Sequence, residues 1–181
     1  MHGFSLVLKS VLAYPWAKDL LLRSQQVVTY FRASHAPLAA LRAAAKELGI
    51  TRGLQSSNTT RMTSSYGCTS SVQEHQPAFT RMRSSSSDVH ITNIDVVDTL
   101  GDAAFWANLS NLNKVLAPIS RVIMVVQGDA TTLADVSRCA CAALACKGRD
   151  RHDVNTIVPM LQSEPHILAC TICWQHPTAG L

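Results

Sequence analysis

The apolar residues Phe105, Leu109, Leu112, Leu116, Ile119, Ile123 and Val126 follow one another at spacings of four, three, four, three, four and three. At about 3.6 residues per turn they share one stripe of a single long helix. A strand, whose side chains alternate between two faces, cannot bury them together. The segment 102–127 is therefore predicted to be a core-facing helix, with Pro118 marking a kink or break because it has no N–H for the helical ladder. The same stripe is the candidate seam for a second copy, but so short a run with a central proline favours internal packing.

Helical spacing also governs the first half of the chain. Phe4 to Tyr14 is predicted as a short apolar helix closed by Pro15, and Asp19 to Ser34 as a second, with Leu20, Val27, Val28 and Phe31 inward and Arg23, Gln26 and Arg32 in water. "SHAP" ends it, and Pro37 sits in the first turn of a third helix that carries Leu38, Leu41, Ala45 and Leu48 and stops at Gly49. Arg42 and Lys46 lie off that apolar face. A fourth helix is predicted from near Thr63 through Tyr66, Val72 and Phe79, in preference to a later start at the Ser71/Glu74 capping-box spacing. "RMRSSSSD", residues 81–88, reads as a polar break, and Leu133, Val136, Ala140 and Leu144 mark a helix after the long one. Aromatic residues make up only 6% of the 181-residue chain, with 8 Gly and 7 Pro, which disfavours a sandwich or barrel. The expected fold is an all-α, irregular helical bundle. It divides into a basic helical segment (1–83), a polar linker with a short helix (84–101), the long helix with a packing helix (102–158) and a weakly patterned tail (159–181).

Charge and chemistry narrow the function. Residues 1–83 hold ten Lys or Arg against Asp19, Glu47 and Glu74, whereas residues 84–181 hold six against nine acids. A polyanion would therefore sit on the first half. Within it, "SSNTTRMTSSY", residues 56–66, places Arg61 among hydroxyls and amides, with no carboxylate between Glu47 and Glu74. No phosphate-binding glycine loop, H-E-x-x-H helix or nucleophile elbow is present, so no cofactor and no autonomous active site is expected. Cys139, Cys141 and Cys146 sit in an alanine-rich run as small apolar residues. Cys170, Cys173 and His176 have ligand-like spacing but lack a second well-spaced pair, so no metal is assigned. Lys9 interrupts the apolar N-terminus and no apolar run reaches the length of a membrane span, so a soluble, intracellular protein without a membrane partner is expected.

Several stretches, taken in order, resemble the hAT superfamily of transposases. "MHGFSLVLKS" resembles the family's C-x-x-H helix, with His2 as its histidine; "TRMTS", Thr60 to Ser64, resembles its Thr-Arg-Trp-x-Ser motif, with Met62 in the place of tryptophan. Phe105 and Trp106, "LAPI" at 116–119 and "QGDATTLADV" at 127–136 resemble its long-helix segments. The resemblance spans about residues 1–155. It implies the helical insertion part of a ribonuclease H-like domain, a nuclear location and a DNA partner resembling a transposon end. Thr60, Arg61, Met62 and Ser64 would be the DNA-contact residues, and His2, Phe105 and Trp106 the structural ones. The family's two metal-binding aspartates would precede Met1 and its glutamate has no match here, so the expectation is a non-catalytic, DNA-contacting fragment. The alternative is a helical protein-interaction or homo-oligomer module without DNA binding.

Overall fold

The computed structural model describes residues 2–58, 63–84 and 91–127, and among them every regular element is a helix. They are α1 (His2–Ala13), α2 (Pro15–Ala33), α3 (His35–Glu47), α4 (Thr63–Glu74), α5 (Gln76–Ser84), α6 (Ile94–Gly101) and α7 (Ala103–Val126). The all-α class read from the sequence is therefore the observed one. The chain forms two compact units, Leu8–Ser120 and a second made of Met1–Val7 with Arg121–Leu181. Of the latter only the outer ends of α1 and α7 are described. The helix expected around 133–144, the tail and the Cys170/Cys173/His176 cluster lie outside the described residues.

Prolines and one glycine set the helix boundaries. Pro15 closes α1 and opens α2, where its missing N–H costs nothing because first-turn donors have no helical acceptor. α3 ends with Gly49 at φ 72°; the Gly49 N–H donates to Lys46 O at 3.1 Å and the Ile50 N–H to Ala45 O at 2.9 Å. That paired closure requires a left-handed residue, and glycine adopts it without a Cβ penalty. The fourth helix starts at Thr63 as expected, but it does not run straight through to Phe79. A one-residue turn at His75 separates α4 from α5, with Pro77 in the first turn of α5. α5 then continues to Ser84, so the polar break begins later than residue 81.

Within Leu8–Ser120, α2 packs against α3, α4 and α6, and α5 against α3 and α4. Leu20, Val27, Val28 and Phe31 of α2 are all buried, as their spacing implied. α4 shows almost no apolar stripe, yet it is buried through small residues: Ser65, Gly67, Cys68, Thr69, Ser71 and Val72. Small side chains allow close helix approach, and their hydroxyls are satisfied locally, as when Ser71 Oγ donates to Cys68 O at 2.9 Å. Burial pushes the Cys68 thiol up to about 11, a backbone hydrogen bond from Ser57 offsetting part of the rise.

The long helix is found as predicted, and Phe105, Leu109, Leu112 and Leu116 are at most 1% exposed. Pro118 lies within it rather than ending it. By length and composition α7 would also pass for a membrane span. Its buried Asn113, however, is held by polar partners on α4: Thr69 Oγ1 donates to Asn113 Oδ1, and Asn113 Nδ2 donates to Gln73 Oε1, each at 2.6 Å. An aromatic chain continues the contact between helices, with Phe31–Phe79, Phe79–Trp106 and Phe105–Trp106 centroids 5.2, 6.2 and 5.2 Å apart. Such pairs add about 0.5–1.5 kcal/mol each beyond burial.

Candidate functional site

The segment between α3 and α4 builds the site. Residues 51–58 have no regular secondary structure and run antiparallel along α4, fastened by side chains at each step. Arg52 donates to Ser70 Oγ at 3.3 Å and to Gln55 Oε1 at 2.7 Å, and faces Glu74 at 3.9 Å. The Gln55 N–H donates to Ser71 Oγ at 3.0 Å, and the Ser57 and Ser65 hydroxyls meet at 3.4 Å. At the far end Ser64 Oγ donates to Asn58 O at 2.7 Å while accepting from the Asn58 N–H at 2.8 Å. Gly67 makes the close approach possible, because a Cβ there would stand 2.6 Å from Gln55 Oε1.

This seating leaves a cleft of about 560 Å³ between the segment and helices α2 and α3. Leu38, Leu41, Gly53 and Leu54 give it apolar surface; Arg32, Arg42, Gln55, Ser56 and His75 give it polar groups. Arg32 donates to Ser56 Oγ at 2.8 Å and keeps further guanidinium donors. The ion pairs among the described residues occupy Arg23, Arg52 and Arg81, with Asp102, Glu74 and Glu47 as partners. Arg32 and Arg42 have no acid partner among the described residues.

His75 departs from expectation. In the sequence it reads as a helix-end surface residue, yet it is 3% exposed. Its Nδ1 lies 2.8 Å from Ser71 O, and its ring packs 6.3 Å from that of Phe79. A carbonyl only accepts, so Nδ1 donates and Nε2 is the ring's remaining hydrogen-bonding atom.

Of the residues singled out from sequence, Thr60, Arg61 and Met62 lie outside the described residues. Ser64 is described, and its hydroxyl bridges to the Asn58 backbone as above. His2 falls in α1. Phe105 is buried at 1% exposure, and Trp106 donates its indole N–H to Leu100 O at 3.2 Å. In the sequence Arg32 reads as a solvated position and Arg42 as one off the apolar face of its helix, and no spacing links either to Ser56 or His75. The signal that was available is the absence of any acid from 48 to 73 beside a run of hydroxyls. Among the described residues no group of three His, Cys, Asp or Glu could hold a metal ion. No family model matches the chain, and no curated protein or solved structure matches it either.

Proposed function

We propose that the basic half of this protein is a DNA-contacting helical surface without catalysis, related to the helical insertion of a ribonuclease H-like, hAT-type transposase domain and acting in the nucleus. The observation that carries this is the pair Arg32 and Arg42, which open on one cleft without an acid partner among the described residues. Guanidinium groups held beside hydroxyls and amides match phosphate oxygens, which accept several hydrogen bonds at once. The hydroxyl-rich segment 51–58 leads directly into Thr60, Arg61 and Met62, so the resemblance and the cleft fall on neighbouring stretches of chain. Met62 keeps an apolar surface but has no ring on which a base could stack.

An interaction module built on the 105–126 stripe draws less support, because Phe105, Leu109, Leu112, Leu116 and Ile123 are already buried. DNA contact is tested by titrating duplex DNA at several salt concentrations. Counterion release demands an affinity that falls steeply with salt, and Arg61→Ala should reduce that slope by about one while affinity falls about equally for unrelated sequences. Salt-independent binding, or an Arg61→Ala variant with lower melting temperature and unchanged affinity, would assign the arginine to the loop instead.

A further inference from the structure

Resting on that reading, we propose that the cleft between α2, α3 and residues 51–58 takes a single unpaired nucleotide, with its phosphate on Arg32 and Arg42 and its base against Leu38 and Leu54 above His75. Its volume of about 560 Å³ lies within the roughly 300–1,000 Å³ of small-ligand sites. A double helix presents only its backbone to such a recess, since its bases are stacked away from the wall. An unstacked nucleotide uses both surfaces, the cationic rim and the apolar side.

The polar groups distinguish a nucleotide from a bare anion. His75 is 3% exposed, lines the cleft and is bonded through Nδ1 to Ser71 O, which leaves Nε2 as its second hydrogen-bonding atom. Gln55 spends its side-chain oxygen on Arg52, leaving its amide N–H groups as donors. A ring nitrogen of His75 and the Gln55 amide donors beside apolar walls complement the edge of a base, which both donates and accepts. A phosphate ion has no apolar face and would make no use of the leucines.

The full chain is titrated with dAMP, deoxyadenosine and inorganic phosphate, each followed by calorimetry, and with duplex DNA followed by fluorescence anisotropy. The expected result is saturable one-to-one binding of dAMP, with deoxyadenosine and phosphate each weaker by about tenfold or more. Arg42→Ala should weaken dAMP by about tenfold. Leu54→Asp should abolish its advantage over phosphate, with circular dichroism as the control for folding. dAMP binding no tighter than phosphate, or indifferent to both substitutions, would overturn the nucleotide site even if duplex DNA bound with a steep salt slope. Cleft-dependent dAMP binding without any duplex affinity would instead support the site and remove the broader DNA surface.

Discussion

Arg23 of α2 donates to Asp102 Oδ2 at 2.9 Å, joining residues 79 positions apart in the chain. The same guanidinium donates to Thr99 Oγ1 at 3.3 Å and lies 4.8 Å from the centroid of the Phe105 ring. Asp102 also caps α7, its Oδ1 accepting from the Ala104 N–H at 2.9 Å. One carboxylate thus holds the start of the long helix and fastens the acid-rich part of the chain to the basic one.

That arrangement predicts an acid-sensitive contact. The hydrogen bond from Arg23, with backbone N–H groups of Phe105 and Ala104, holds the Asp102 carboxyl below its ordinary value near 3.8. The unfolded chain then binds the proton more readily than the folded one. The stabilisation is fully present above the ordinary carboxylate value and is lost as pH falls through the lower folded value. Asp102→Asn keeps a cap oxygen and removes the charge. Thermal melts from about pH 6 to about pH 2 should show a shallower loss of stability for the variant than for the parent chain.

The Thr69–Asn113–Gln73 network predicts strong non-additivity. Thr69→Val leaves buried Asn113 Oδ1 without its 2.6 Å donor, and should cost about 1–3 kcal/mol. Thr69→Val combined with Asn113→Leu should cost less than the sum of the singles, because neither substitution then leaves the other partner orphaned. Urea denaturation of the four chains measures the coupling, and strict additivity would show that the two side chains act independently.

Ser71→Ala tests how the cleft wall is held. It removes the acceptor of the Gln55 N–H and should cost about 1–3 kcal/mol locally. Amide exchange at Gln55 should accelerate far more than exchange in α2, whose ladder does not depend on this hydroxyl. Equal acceleration in both would mean that the segment opens only when the whole unit unfolds.

Phe105 and Trp106 should separate by magnitude. Phe105→Ala empties a fully enclosed core position and should destabilise by about 3–5 kcal/mol. Trp106→Phe retains most of the ring contact and forfeits the hydrogen bond to Leu100 O, a loss of about 1 kcal/mol. Chemical denaturation checks both; similar losses would indicate that the indole N–H matters more than its half-buried position implies.

Periodicity by itself determined the helical class, the long α7 and the inward set on α2, because 3.6-residue spacing is a local property that any core must respect. Proline and glycine likewise marked the junctions at Pro15, Pro37 and Gly49, where backbone chemistry acts within a turn. Only the tertiary structure decided that the 105–116 stripe is used internally, since the same spacing serves a core or a second chain. It also decided that Arg23, which reads as a solvated position on its own helix, is a bridge to Asp102, and that His75 is enclosed. α4 was the least legible element: its burial comes from small hydroxyl residues with hardly any apolar stripe, and becomes favourable only when α2, α7 and residues 51–58 close over it. The cleft has the same origin. Arg32, Arg42 and His75 come from three different elements, and no local pattern encodes their meeting, because it depends on how α2, α3 and the pair α4 and α5 pack together.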